Sequence, residues 1–192
     1  MNAREQLTEA MTELLWERGY AATSPRDVMA RAGVGQGSMY HHFSGKHELA
    51  VEALSTVTQE LTGESSLLEG EGSPLERIKR YLLVPRPGTQ GCRVGRMTQD
   101  PQVVVDAELI AIVSGTFDTM LDRWEQAIAS AIAAGELPTT IVPTELARTL
   151  AAVIQGGYVL ARAKGEQGPM DAAIRGVVSL LDTAQSAVGT DH

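Results

Sequence analysis

Apolar residues recur along this chain at steps of three and four, the spacing of one helix face. Leu7, Ala10, Met11, Leu14 and Leu15 define a helix over about 3–18, and Gly19 is placed to stop it. Ser24 as N-cap, Pro25 at the first position and Asp27 in the first turn open a second helix, which runs to about Ala32. Gly33 ends that helix, a third occupies roughly Gln36 to His42, and Ser44 caps a fourth from about Lys46 to Leu61. Residues 62–74 are rich in glycine, serine and glutamate and read as a connection. A helix from Pro74 to about Leu83 follows, then a loop in "VPRPGTQG", then a short helix starting near Gly91.

From Asp100-Pro101 a long helical pattern restarts, carrying Val103, Ala107, Ile110, Val113, Phe117, Met120, Trp124, Ile128 and Ile132, until Gly135. At ~1.5 Å per residue such a helix approaches ~50 Å, unless Ser114-Gly115 bends it. Two more helices, about 143–164 and 169–187, complete the chain. No useful stretch alternates with period two and no internal repeat is found. The pattern predicts an all-α protein.

Composition narrows the class. With 43% apolar and 21% charged residues the chain is globular rather than disordered, and 4% aromatics suit packed helices better than sheet. The single cysteine, Cys92, excludes a disulfide framework and fits a reducing compartment. No cationic, apolar leader follows Met1 and no uncharged run approaches a membrane span, so the expectation is a cytoplasmic protein without a membrane partner. A net charge of −8 argues against a generally basic, nucleic-acid-coating protein. Residues 1–50 carry five Lys/Arg against six Asp/Glu, and the remainder eleven against eighteen, so any anion-binding surface must be local.

The candidate chemistry gathers in "GVGQGSMYHHFSGKHEL", residues 33–49. A metal pair at His41-His42 is a poor reading, because neighbours on a helix point about 100° apart and no third ligand is near. A phosphate loop is a poor one too, since the glycine spacing is wrong and no strand precedes it. Two short helices joined by the tight turn "AGVG" are instead the sequence form of a helix-turn-helix. In that motif the second helix enters the major groove with its N-terminal residues toward the base edges. Gln36 can present an amide to adenine, Ser38 can bond either base type, and Gly37 lets the backbone come close. Tyr40, His42 and Lys46 are donors for flanking phosphates, and Lys46 also opens a helix, whose free N–H groups favour an anion. An enzyme is not expected: no nucleophile–base pair or cofactor loop is present, three of the four histidines lie in this stretch and the fourth is His192. No cofactor or metal is implied. A protein-binding helical adaptor leaves unexplained why Gln36, Ser38, Tyr40, His42 and Lys46 gather around one helix.

These residues also carry a resemblance. "ATSPRDVMARAGVGQGSMYHHFSGKHEL" resembles the DNA-binding signature of the TetR/AcrR family of transcriptional regulators, through Thr23-Ser24, Ala32-Gly33-Val34, Tyr40-His41-His42-Phe43, Lys46 and Leu49. Gly35 departs from the usual capping Ser or Thr, and Gln36 from a common lysine. The resemblance implies DNA contacts from Thr23, Ser24, Gln36, Gly37, Ser38, Tyr40, His41, His42 and Lys46. It implies a three-helix DNA-binding domain over 1–50, linked by the fourth helix (about 46–61) to an effector-binding and dimerisation domain over 51–192.

"GCRVGRMTQD", the "AAGEL" end of the long helix and "VIQGGYVLARAKG" resemble, more loosely, one subtype of that second domain. The implied protein is a homodimeric, ligand-responsive regulator, most often a repressor, that binds an inverted repeat in double-stranded DNA and leaves it when a small, partly apolar effector binds. Cys92, Met97, Phe117, Met120, Trp124, Gln155 and Tyr158 are the candidates for lining an effector pocket, with plain core packing as the alternative for each. Cys92, beside Arg93 and Arg96, reads either as a small buried hydrophobe or as a reactive thiol. The last two helices carry apolar stripes (Leu146, Leu150, Val153, Ile154 and Ala161; Ile174, Val177, Val178 and Leu181) and a Gly156-Gly157 step, and would pair with a second copy as a four-helix bundle.

Overall fold

The computed structural model describes residues 2–189; His192 lies outside them. The described residues form eight α-helices and no strand: α1 (Ala3–Arg18), α2 (Pro25–Ala32), α3 (Gln36–His42), α4 (Lys46–Glu64), α5 (Pro74–Leu82), α6 (Ala107–Ala133), α7 (Pro143–Lys164) and α8 (Gly168–Gly189). Two short 3₁₀ turns, Ser65–Leu68 and Gly95–Gln99, interrupt the connections.

Most helix starts are written in local chemistry. Asn2, Ser24 and Ser73 each cap a helix by a reciprocal box with the acidic residue three positions on, Glu5, Asp27 and Glu76. Proline occupies the first turn of α2, α5 and α7, where its missing N–H costs nothing.

Three connections differ from the periodicity. Helix α4 continues through Gly63 to Glu64, and the 3₁₀ turn beyond it ends on Leu68, only 3% exposed. No helix starts at Gly91; its φ of +87° breaks the chain, and the 3₁₀ turn follows at Gly95. The long helix begins at Ala107 rather than Val103, so its 27 residues span ~40 Å. Its delay has a local cause. Asp100 Oδ1 accepts from the N–H groups of Gln102 and Val103, closing a turn, and Asp106 Oδ1 accepts from those of Glu108 and Leu109, starting the helix afresh. Short carboxylate side chains compete with helix propagation in this way.

The chain forms two compact units: Met1–Leu61 with Cys92–Thr116, and Thr62–Gly91 with Phe117–His192. In the first, α1 packs on α2 and α3, and Leu7, Met11, Val28, Met39, Leu49, Met97, Val103 and Leu109 are fully buried. In the second, α7 and α8 pair along their length over a core that holds Ile78, Trp124, Ile128, Leu150 and Met170. The Trp124 ring meets Tyr81 edge-on at 4.9 Å. Gly157 lets α7 and α8 close up, because a Cβ there would lie 2.4 Å from Met170 Sδ and 3.5 Å from Met170 Cα.

Replacing Leu150, wholly buried in the second unit, with alanine should lower unfolding free energy by about 2–5 kcal/mol in urea titration. Ser24→Ala should cost about 1 kcal/mol through removal of the cap. Val105→Ala, at a position 81% exposed, should stay within about 0.5 kcal/mol of the parent.

Candidate nucleic-acid interface

Helix α3 has seven residues and lies beyond a tight turn. Gly33 adopts the left-handed conformation (φ +66°, ψ +27°) that ends α2, with its N–H donating to the Met29 carbonyl. Gly35 then precedes α3 without any side-chain cap. Two inward residues hold the short helix, fully buried Met39 and Phe43, which is 2% exposed. The Arg4 guanidinium from α1 lies 4.9 Å above the Phe43 ring.

With Met39 and Phe43 inside, the opposite face is free. Gln36, Gly37, Tyr40 and His41 are exposed, and Ser38 and His42 are partly so. Tyr40 leaves half of its surface in solvent. No side-chain hydrogen bond to Gln36, Ser38 or Tyr40 is formed by the described residues. His41 and His42 meet edge-on, ring centroids 5.0 Å apart, and no group of three His, Cys, Asp or Glu suited to a metal occurs among the described residues. The outer surface of α3 therefore offers an amide and two hydroxyls with no hydrogen bond among the described residues, beside two imidazoles, which is the chemistry that reads base edges and grips phosphates.

Thr23, Ser24 and Lys46 are placed differently. Thr23 is 2% exposed and its hydroxyl donates to the Gly19 carbonyl at 2.7 Å, so it braces the α1–α2 turn from inside. Ser24 is on the surface, but its hydroxyl donates to Asp27 at 2.6 Å. That bond, with the Ser24 N–H and nearby Arg18, holds the Asp27 carboxyl below its ordinary range. The Lys46 ammonium sits 3.8 Å above the Tyr20 ring, half-buried, and burial lowers its pKa while Asp100 acts the other way. Burial raises the Tyr20 hydroxyl's pKa, with Asp106 and Asp100 adding to the effect.

Arg26 is a further candidate that the motif did not single out. Within residues 2–61, Arg4 pairs with Glu52, Arg18 with Asp27 at 3.2 Å, and Arg31 with Glu17 at 2.7 Å. Arg26 is exposed on the first turn of α2, and the described residues give it no ion pair. The signal was available: Glu13 and Glu17 lie one turn apart on α1 and claim Arg31, whereas no acidic residue falls at three or four positions from Arg26.

The effector candidates divide between the units. Cys92 and Met97 belong to the first; Phe117, Met120, Trp124, Gln155 and Tyr158 belong to the second. The half-buried Cys92 sulfur accepts from the Gly95 N–H at 3.2 Å, and neighbouring Arg93 is engaged by Glu60 at 2.6 Å and lies over the Trp16 ring. Met97 and Trp124 are completely buried, while Phe117, Met120, Gln155 and Tyr158 are partly exposed. The indole N–H of Trp124 finds no acceptor among the described residues.

Comparison with known proteins agrees with this geometry. Residues 7–53 match the family described as "Bacterial regulatory proteins, tetR family", and residues 85–177 match "Tetracyclin repressor-like, C-terminal domain". The chain is 27% identical over 175 residues to the HTH-type transcriptional repressor DhaR of Mycobacterium sp. (strain GP1), covering 88% of this chain and 86% of DhaR. It is 35% identical over 133 residues to an HTH-type transcriptional repressor of Mycobacterium tuberculosis, covering 66% of each. A crystal structure of a regulatory protein TetR from Rhodobacter sphaeroides superposes with a TM-score of 0.79 at 26% identity, over 93% of this chain and 98% of that one. A repressor-type helix-turn-helix with an open α3 face, followed by a matching helical second part, makes this chain a member of the TetR family of transcriptional regulators, which bind operator DNA and are not enzymes.

Proposed function

We propose that the protein is a cytoplasmic, homodimeric repressor that binds an inverted-repeat operator and leaves it when a small effector binds. The observation that carries the DNA-binding half is the α3 face, with Gln36, Ser38 and Tyr40 uncommitted among the described residues; exposed Arg26 on α2, with no ion pair among them, adds a cation. Gln36 is suited to adenine, Ser38 to either base type, and Tyr40, His41, His42 and Arg26 to phosphates on either side. Lys46 reaches a phosphate only by leaving the Tyr20 ring, and Ser24 acts through its backbone and cap. Thr23 supports the surface without touching DNA.

Dimerisation is supported by apolar surface left exposed among the described residues. The sequence stripes on the last two helices are mostly spent inside: Leu150, Ile154, Ala161, Ile174, Val177 and Leu181 belong to the core of the second unit. The other faces carry Val159 and Leu160 on α7 and Leu180 on α8, each more than half exposed, with small Ala152, Ala172 and Gly176 on the same helices. A two-fold pairing of α7 and α8 would cover these residues and give the two recognition helices that an inverted repeat requires, with half-sites roughly 34–36 Å apart or a little more.

For the effector, the Trp124 N–H is the informative group. A buried donor without a partner is costly, by about 1–3 kcal/mol, and an effector with an apolar body and a hydrogen-bond acceptor would relieve it. Effector binding then favours a state that no longer fits the operator, with leverage equal to its differential affinity for the two states.

Fluorescence anisotropy against duplexes from the gene's own flanking regions, repeated across salt concentrations, tests the reading. Saturable binding to one inverted repeat is expected, and uniform weak binding to all duplexes would refute it. Arg26→Ala should weaken all duplexes alike and flatten the salt dependence by about 0.9 in log–log slope for each phosphate that Arg26 neutralises. Gln36→Ala should instead relax preference at one base position, by about 1–3 kcal/mol. Leu180→Glu should shift sedimentation from dimer to monomer and lower operator affinity, with helicity unchanged.

A further inference from the structure

The segment 92–116 belongs to the same compact unit as the helix-turn-helix, yet its neighbours in sequence on both sides, Gly91 and Phe117, belong to the other unit. It is therefore covalently joined to the second unit at both of its ends, in addition to the crossing within α4 at Leu61–Thr62. Several contacts bind it there. His47 at the start of α4 lies 3.0 Å from Asp106, Glu60 meets Arg93, and the hydroxyls of Thr58 and Thr116 are 2.7 Å apart. Those three contacts end on α4. Asp100 reaches somewhere else.

Its Oδ2 accepts the Ala21 N–H at 2.9 Å, in the turn between α1 and α2, seventy-nine positions away in sequence. Asp100 is only 7% exposed, and Gly19 makes room for its carboxylate: a Cβ there would lie 2.7 Å from Oδ2, at a φ of +88°. That turn is stiff. Thr23 donates its hydroxyl to the Gly19 carbonyl and its N–H to that of Tyr20 at 3.1 Å, and the next residue, Ser24, caps α2. Tyr20 in turn carries the Lys46 ammonium on its ring. Asp100 thus grips the point from which α2, and through Gly33 the α3 surface, is aimed.

We propose that Asp100 is a positioning residue for DNA recognition: its carboxylate ties the 92–116 segment to the α1–α2 turn and holds the α3 surface in its operator-binding orientation. This rests on the regulator reading above and assigns the contact through which release is exerted. Withdrawal of the segment breaks the Ala21 bond and unlocks the turn without touching α3 itself.

Asp100→Asn separates this tie from the local fold. The two carboxylate oxygens have different duties, Oδ1 toward the N–H groups of Gln102 and Val103, Oδ2 toward Ala21. An asparagine has one acceptor oxygen, and its natural place is the local turn over 102–103. Its NH₂ group then faces the Ala21 N–H, donor against donor. In the full-length Asn variant, amide hydrogen exchange read by NMR should be about tenfold faster or more at Ala21, where the bond to a charged acceptor is gone, and faster along α3. Gln102, Val103 and the α7–α8 amides should stay protected. Operator affinity should fall by a similar factor while the thermal midpoint stays near that of the parent. Unchanged exchange at Ala21 overturns the proposal, and so does faster exchange with undiminished operator affinity. If the parent chain binds no duplex specifically, the regulator reading fails by itself, and the exchange at Ala21 and α3 still decides whether Asp100 positions the turn. Should the Asn variant lose α7–α8 protection, Asp100→Ser carries the same test, since serine can keep the local turn but is too short to reach Ala21.

Discussion

A helix of seven residues cannot hold itself together in water, where nucleation alone outweighs so few backbone bonds. Everything the DNA-facing surface does depends on α3 being clamped from behind. Met39 and Phe43 supply the clamp, α1 is the wall they press on, and Arg4 closes over the Phe43 ring. Because so few side chains are spent on anchorage, the rest can stay polar and uncommitted. A longer, self-sufficient helix would need its own stripe and would have less surface to give to a ligand.

Electrostatics follow the same economy. The chain as a whole is acidic, and three of the five cations in its first fifty residues are held by carboxylates of their own unit. Such exposed pairs add little stability. Their effect is to engage Arg4, Arg18 and Arg31 with carboxylates, while Arg26 has no ion pair among the described residues. A surface built this way discriminates by position more than by bulk charge, since non-specific adhesion grows with the number of free cations.

Much of the architecture was legible because it is local. Ser24-Pro25 with Asp27, Gly33, and the apolar spacing of α1 and α7 each state their element within a few residues, and the helices begin and end close to where those signals stand. Errors came where a contact distant in sequence or a single side chain overrode the spacing. Val103 continues the apolar rhythm of α6, yet Asp100 and Asp106 break the helix by capturing backbone N–H groups. Leu150 and Ile154 look the same in sequence whether they face their own chain or a second copy, and only the packing of α7 on α8 shows that they are spent inside. Within the site, the motif named a stretch of chain but could not tell a hydroxyl that faces solvent from one that faces a carbonyl. Thr23 turns its hydroxyl to the Gly19 carbonyl, whereas Ser38 is partly exposed.

The discontinuity of the first unit has a practical meaning for anyone wishing to transplant this DNA-reading head. Cutting after Leu61 would deliver the helix-turn-helix without Val94, Met97, Val103 and Leu109, leaving the cavities they fill open to water and the Ala21 N–H unanswered. A chimera that keeps native geometry must carry two stretches of sequence, the first sixty-one residues and the 92–116 insertion, threaded through a recipient that accepts both.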